Sequence, residues 1–452
     1  MVEMKIPMPP EVGAILKIIS GSGYESFIVG GCVRDSLLGR APQDWDITTN
    51  AKPETVVEIF EHKGYKVTLT GLKHGTVTLV KNREHYEVTT YRVDGLYEDS
   101  RRPGSVQFTS SIQEDLSRRD FTINAMAYNY IDGLIDCFNG YEDLQNKMVR
   151  CVGDPFSRFQ EDALRMMRAI RFTAQLSFKL DPAAKDGISN NAYLLQNISK
   201  ERIREEFSKI ITADKPSSYI RDMISVGLMK YIIPEIYGCI GFEQHNPNHD
   251  KDVLNHILDV LDHTEGDLIL RLSALFHDIG KPQTFTMDEK GIGHFYTHHL
   301  RSAHMAEVIM KRLRYDNKSI EQVAILVREH MSRYEKPRAA VLKKFINRVG
   351  IENLDRLFKL QIADIKGSAY RDNTSIIIRL KEAVEKVLNE KQPLSVKELE
   401  ISGYDLMQLG ISQGKRIGEI LNELMEIVLD YPEFNEKEKL LELAREIQER
   451  TV

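Results

Sequence analysis

Hydrophobic positions follow two rhythms, a mixed one up to about residue 150 and an almost purely helical one beyond it. Val12, Ile15, Leu16, Ile18 and Ile19 recur at helical spacing and predict an amphipathic helix over Pro9 to Gly21. A solid apolar run, Phe27-Ile28-Val29, stops at Gly30-Gly31. Val33, Leu37 and Leu38 then resume helical spacing, and a second run follows at Asp44-Trp45-Asp46-Ile47-Thr48. This reads as strand, glycine turn, helix, strand. Val56, Val57, Ile59 and Phe60 predict a helix over Ala51 to His62, and alternation predicts strands over Gly75 to Val80 and His85 to Tyr91. Arg92 to Phe108 is polar and weakly periodic, which predicts a mobile loop. After it, Arg118 and Arg119 precede an apolar stretch, Phe121 to Ala125, that reads as a helix.

From Asp154 onward the period is helical. Asp154 is an N-cap, Pro155 occupies the first helical position, and Phe159, Leu164, Met167, Ile170 and Phe172 form the apolar stripe of a long helix. Asp162, Arg165, Arg168 and Arg171, three apart, predict a polar ridge beside it. Leu254, Ile257, Leu258 and Leu261 mark a helix around His256, and Leu272 to Phe276 leads into His277-Asp278. Lys391 to Ser395 reads as a linker. Beyond it helices begin near Ser402 and Gln413, and the final segment, Asn435 to Arg450, is amphipathic and mildly acidic.

The 452 residues, 42% hydrophobic, suffice for two to four domains with real cores. No apolar run reaches membrane-spanning length and the start lacks a signal h-region, so a cytoplasmic protein without membrane contact is expected. Cys32, Cys137, Cys151 and Cys239 show no CxxC spacing and read as reduced and structural. A net charge of −6 argues against a promiscuous polyanion binder, so any RNA-binding surface must be local. Arg338, Lys343, Lys344 and Arg348 form the most basic part of the later chain; RNA phosphates and a solvated helix face are both open readings.

Candidate chemistry concentrates at three places. Strand alternation puts Asp44 and Asp46 on one face, with Trp45 and Ile47 turned to a core; two close carboxylates suit Mg2+, a hard cation that prefers oxygen. Gly30 and Gly31 let backbone N–H groups approach a phosphate chain, with Arg34 one turn on and Arg119 able to grip phosphate oxygens, a solvated arginine pair being the alternative. Glu87 lies on a strand face with His85 and Thr89, where a third carboxylate completes a metal site or takes a proton from an attacking hydroxyl. On the ridge, one carboxylate (Asp162) and one arginine (Arg165) complement the amino donor and ring-nitrogen acceptor that cytosine and adenine share, and reject uracil and guanine. The second place is a set of histidines and aspartates, His256, His277, Asp278, His304, His330 and Asp364, whose mix of imidazole and carboxylate suits a transition metal such as Mn2+, Ni2+, Co2+ or Fe2+. The third is Gly414, Lys415 and Arg416 at a helix start, a place for an RNA phosphate.

The stretches IVGGCVRDSLLGR, DWDIT, YEVTTYR, RRDFTINA and EDALRMMRAIRF resemble the successive motifs of class II tRNA nucleotidyltransferases, the CCA-adding enzymes of the polymerase-beta-like superfamily. His256, His277-Asp278-Ile279-Gly280-Lys281 and Asp364 are similar to the HD phosphohydrolase pattern. The resemblance implies an α+β protein, seahorse-like. It has an N-terminal mixed α/β nucleotidyltransferase head (residues 1–150), an all-α neck carrying base recognition (151–215), a helical body with the HD domain (216–390) and a tRNA-binding tail (391–452). It further implies ATP and CTP as substrates, tRNA as partner, Asp44, Asp46 and Glu87 as catalytic acids, and Gly31, Arg34 and Arg119 as phosphate contacts. Asp162, Arg165, Arg168 and Arg171 match the neck positions, the first two of them templating the base. His256, His277, Asp278 and Asp364 match the ligands of one HD metal, with His304 and His330 on a second. An enzyme adding only the terminal A, a poly(A) polymerase, and a protein that is chiefly an HD hydrolase are the rival readings. No pattern sets an oligomeric state.

Overall fold

The computed structural model describes residues 5–71, 75–95, 106–247, 249–335, 337–369, 373–390, 392–411 and 414–449. Nine strands matter to the first site: β1 (Ser26–Val29), β2 (Asp46–Thr49), β3 (Lys66–Gly71), β4 (Thr76–Lys81), β5 (Glu84–Thr90), β6 (Arg92–Asp94), β7 (Val106–Phe108), β8 (Met126–Asn129) and β9 (Gly133–Asp136). Seven of them form one sheet in the order β3-β4-β5-β2-β1-β8-β9, where β2 and β5 run parallel and the other neighbours antiparallel. β1 is apolar because it is central. Phe27 and Val29 pack with Tyr91, Leu116, Ala125, Ala127 and Val152 on one face, and Ile28 is buried as well. At roughly 25 cal/mol per Å² of apolar surface, each such side chain contributes about 2 kcal/mol, so this strand is fixed firmly. The β4–β5 hairpin closes on Asn82 and Arg83, both at positive φ (52° and 70°), which matches the twist of the strands it joins.

Four expectations are corrected here. β2 begins at Asp46, not Asp44. Its ladder with β1 runs from Ser26↔Thr49 to Ile28↔Ile47 and β1 ends at Val29, so Trp45 and Asp44 are not paired in a ladder and Trp45 is only half-buried. The loop expected over Arg92 to Phe108 is paired at its ends, β6 with β7; residues 96–105 lie outside the described residues. The RRDFTINA stretch forms a single 3-10 turn, Thr122–Asn124, and then enters the fully buried strand β8 instead of a helix. The long neck helix is two helices, Pro155–Glu161 and Leu164–Leu176. Asp162 between them is extended (φ −136°, ψ 103°), and its carboxylate accepts the Leu164 N–H at 3.0 Å, a local bond that competes with continuing the helix.

The chain divides into two compact units, Met1–Pro234 and Glu235–Val452. The helix Ser217–Ser225 lies in the first unit. Among the described residues, the second unit has helices and one short hairpin, Thr286–Met287 with Gly293–His294. Among the described residues, no helix is long and apolar enough to cross a membrane. All four cysteines are free; Cys32, Cys151 and Cys239 are buried, whereas Cys137 is exposed.

Candidate functional site

In the first unit, Asp46 is the first residue of β2 and Glu87 its direct partner in β5. Neighbours in register share a face, so the two carboxylates stand side by side while Ile47 and Val88 point into the core, buried to 1% and 0% exposure. Asp44 lies just before the strand and belongs to the same acidic group: burial, then the charges of Asp46 and Asp44, raise the Glu87 pKa. Burial likewise raises that of Asp46, with Arg119 opposing and Asp44 adding. Mutually repelling oxygens of this kind fit a hard divalent cation.

Around the acids the chain sets cationic groups. Gly30 has φ +82°, a conformation open to glycine, and a Cβ there would stand 2.7 Å from Arg119 Nη1. The Arg119 guanidinium therefore rests against the glycine turn beside Asp46; its buried Nε makes no hydrogen bond, and burial lowers its pKa. Arg34 donates to Asn124 Oδ1 at 2.6 Å and pairs with Asp35 at 2.8 Å. Phe172 lies beneath three guanidinium groups, those of Arg34, Arg168 and Arg171, at 5.1, 5.5 and 4.2 Å. A cleft of about 720 Å³ is lined by Gly31, Arg34, Asp44, Asp46, Arg171 and Phe172, among others.

The ridge residues part company at the helix break. Arg171 lines this cleft and pairs with Glu206 at 2.7 Å. Arg168 grips Asp120 through two nitrogens at 2.8 and 2.6 Å. Arg165 is buried and donates to the Arg118 carbonyl and to Glu161, and Asp162 faces Arg202 at 3.5 Å. Phe172 read as core in the sequence; its role as a floor for guanidinium groups shows only in three dimensions, as do Asp120, Asn124 and Glu206.

In the second unit, His256 (helix Val253–Asp262), His277 and Asp278 (after helix Leu268–Phe276), His298 (helix His298–Arg312), His330 (after helix Asn317–Glu329) and Asp364 (helix Leu354–Gly367) converge. His256 Nε2 is 3.3 Å from Asp278 and 3.1 Å from Asp364, and His277 Nε2 is 3.3 Å from Asp278. On the other side of Asp278, His298 Nε2 stands at 3.3 Å and His330 Nε2 at 3.8 Å. Every ring is fixed from behind, Nδ1 meeting the carbonyl of Gly367, Ala274, Phe295 or Val327 at 2.7–3.2 Å. That bond aims Nε2 inward, as metal-binding imidazoles require. Two triads, His256–His277–Asp278 and Asp278–His298–His330, therefore share one aspartate, whose buried Oδ1 has no hydrogen bond.

His304, expected in this set, is exposed, and His298 takes its place. Six residues along a helix turn a side chain by about 240°. His298, Ser302, Met305 and Ile309 form the buried face, whereas Leu300, His304 and Val308 face outward. The helical phase that separates the two faces is legible in the sequence. Burial lowers the His330 pKa to about 3, against which Asp278 pulls upward, so its nitrogen carries a lone pair. For His256, burial pulls down but hydrogen bonds to Asp278 and Asp364 prevail and raise it to about 9. Lys281, also buried, lies 2.7 Å from Asp278 and 2.8 Å from Gln244, and Arg333 pairs with Asp364.

The remaining expected sites are less built. Gly414 caps the helix Lys415–Asp430, with Lys415 and Arg416 at 3.4 and 3.3 Å from Glu419. On the helix Ala339–Val349, Lys344 pairs with Asp430, Arg348 with Glu329, and Lys343 is buried, so much of the expected basic face is neutralised.

Residues 26–150 match the family described as the Poly A polymerase head domain, residues 177–239 the probable RNA and SrmB-binding site of polymerase A, and residues 284–444 the putative domain 2 of tRNA nucleotidyltransferase. The chain is 33% identical over 446 residues to the CCA-adding enzyme of Ligilactobacillus salivarius (strain UCC118), covering 97% of this chain and 96% of that one. It is 34% identical over 450 residues to the CCA-adding enzyme of Limosilactobacillus reuteri (strain DSM 20016), covering 98% and 99%. The fold is similar to that of the Bacillus stearothermophilus CCA-adding enzyme in complex with CTP, with a TM-score of 0.69, 28% identity, and coverage of 98% of this chain and 99% of that one.

Proposed function

The chain belongs to the family of CCA-adding enzymes, and on that footing we propose how its residues extend the 3′ end of tRNA with CTP and ATP. The single observation that carries the reading is the shared cleft: Asp44 and Asp46 line it together with Gly31, Arg34 and Arg171. Asp44 and Asp46 would hold Mg2+, which when bound neutralises charge on the triphosphate and on the attacking hydroxyl. Arg34, Arg171 and the Gly30-Gly31 turn hold the phosphates, and Arg119, lining a smaller pocket with Asp46 and Glu87, adds positive charge beside the acids. The RNA 3′-oxygen bonds to the α-phosphorus, the bond from that phosphorus to the bridging oxygen breaks, and pyrophosphate departs. Glu87, the direct neighbour of Asp46 in the parallel register, takes up the hydroxyl proton. Base choice we assign to Asp162 and Arg165, which requires Arg165 to exchange Glu161 for the base. The tail residues Gly414, Lys415 and Arg416 would meet tRNA phosphates, and the four free cysteines suit the cytoplasm.

A transcript lacking CCA, incubated with CTP and ATP separately and together, tests the reading. CTP alone gives two additions, ATP alone none, and the pair gives CCA. A run of A from ATP alone, or addition only to a transcript already ending in CC, would replace it with a rival.

The second unit supports an additional activity, hydrolysis of phosphate esters. Two imidazoles at each oxygen of Asp278, His256 and His277 at Oδ2 and His298 and His330 at Oδ1, fit transition metals such as Mn2+ or Ni2+, which when bound would activate water and polarise a phosphoryl oxygen. Water then adds to phosphorus, one ester P–O bond breaks, and the departing oxygen gains a proton. Adding Mn2+ or Ni2+ should bring out hydrolysis of 2′,3′-cyclic phosphates, and His277→Ala should remove it.

A further inference from the structure

Phe172 stands on the helix Leu164–Leu176 at the wall of the cleft that holds Asp44 and Asp46, and only 5% of it is exposed. Phe121, fully buried, backs the ring from the core with centroids 5.5 Å apart and planes at 78°. Arg171, Arg34 and Arg168 lie over the ring, their guanidinium carbons 4.2, 5.1 and 5.5 Å from its centroid. Like charges gathered so closely repel. Burial lowers the Arg171 pKa, Glu206 opposes, and the charges of Arg168 and Arg34 add to the fall. Each cation also has an anchor at its edge: Arg34 has Asp35 and Asn124, Arg168 has Asp120, and Arg171 has Glu206 and Gln175. A carboxylate that anchors a cation cancels part of its field at the same time. An aromatic face anchors through its quadrupole and carries no net charge, so the field stays available to an anion entering the cleft. Among the described residues lining this cleft Phe172 is the one aromatic, so no second ring replaces it. Its face is given to guanidinium groups, not to a nucleobase.

Resting on the reading of this cleft as the nucleotide site, we propose that Phe172 is a positioning residue for transfer: a neutral aromatic floor that holds Arg34 and Arg171 in place for the triphosphate, whichever base it carries. The full chain is made with Phe172 replaced in turn by 4-fluoro-, 3,5-difluoro- and 3,4,5-trifluorophenylalanine, which nearly keep the shape of the ring while draining its π-face stepwise. Phe172→Leu keeps apolar bulk without a ring. Incorporation is measured with CTP on a transcript lacking CCA and with ATP on one ending in CC. KM for the nucleotide should rise along the series, to about tenfold at the trifluoro ring and at least as far in Phe172→Leu. The rise should be equal for CTP and ATP, with kcat within about twofold and KM for tRNA unchanged. A ring that served packing alone would give no gradient, because packing hardly changes along the series. A second readout needs no turnover. Inorganic tripolyphosphate has neither base nor sugar, and its Kd, measured by calorimetry in chelator, should rise along the same series. A flat nucleotide KM across the fluorinated rings, or a rise for one nucleotide alone, overturns the floor while transfer stands. A wild type that incorporates neither nucleotide removes the transfer reading; a graded tripolyphosphate Kd then keeps the floor, and a flat one removes it as well.

Discussion

Two carboxylates side by side on neighbouring strands, with a third just before one of them, are a cost that the fold accepts for function. Burial and mutual charge raise the pKa values of Asp46 and Glu87, so for these acids the folded chain favours the protonated form. Their contribution to stability is thus greatest below the ordinary carboxylate pKa and is lost as the pH rises through the raised values. At neutral pH, Glu87→Gln should therefore raise the melting temperature in chelator, the gap should narrow when millimolar Mg2+ is added to the wild type, and nucleotide incorporation should fall sharply. A lower melting temperature in chelator would mean that the acids do not repel one another. Alternation alone placed Glu87 on the correct face, and the parallel register adds that its neighbour is Asp46. Asp44 was misplaced because the end of a strand depends on where its partner ends, here Val29 of β1. His298 is set apart from His304 only by the phase of the helix that carries both.

The element that most repays attention is the junction between the 3-10 turn Thr122–Asn124 and the helix Leu164–Leu176. Arg168 reaches from the helix to Asp120, Asp120 accepts from Asn124, and Asn124 accepts from Arg34, so the helix is tied to a phosphate-facing arginine by consecutive bonds. Burial pushes the Asp120 carboxyl up, but the charge and hydrogen bond of Arg168 prevail and bring it down to about 2. The stability this supplies is present above the ordinary carboxylate pKa and lost as the pH falls from about 4 through about 2, and it amounts to about 2 kcal/mol. Asp120→Asn leaves Arg168 without its counter-charge and should cost about 3 kcal/mol in urea unfolding, with a flatter acid limb below pH 4. An unchanged midpoint would contradict the tie. None of this was legible beforehand. The stripe Phe159, Leu164, Met167, Ile170 and Phe172 is real, but Asp162, extended and accepting the Leu164 N–H, breaks the helix, which redirects the ridge: Arg171 to the cleft, Arg165 to Glu161 and the Arg118 carbonyl.

At the scale of the whole molecule, each unit carries its own chemistry, acids with arginines in Met1–Pro234 and imidazoles with aspartates in Glu235–Val452. His277→Ala should abolish cyclic-phosphate hydrolysis and leave nucleotide incorporation within about twofold, a change under 0.5 kcal/mol in barrier. Parallel loss of both activities would show that they share a site. The head was readable at the level of motifs because strand, glycine turn and acidic pair lie within a few dozen residues. The second unit was readable only as a ligand roster, since five helices distant in sequence assemble it and local patterns do not fix their packing.

The most direct measurement is single-turnover nucleotide incorporation by Asp44→Ala, made alongside its affinity for tRNA. Incorporation is predicted to fall by about three orders of magnitude or more, some 4 kcal/mol of barrier, while tRNA binding stays near that of the wild type. Incorporation at close to the wild-type rate would contradict the assignment of transfer chemistry to the acids of this sheet.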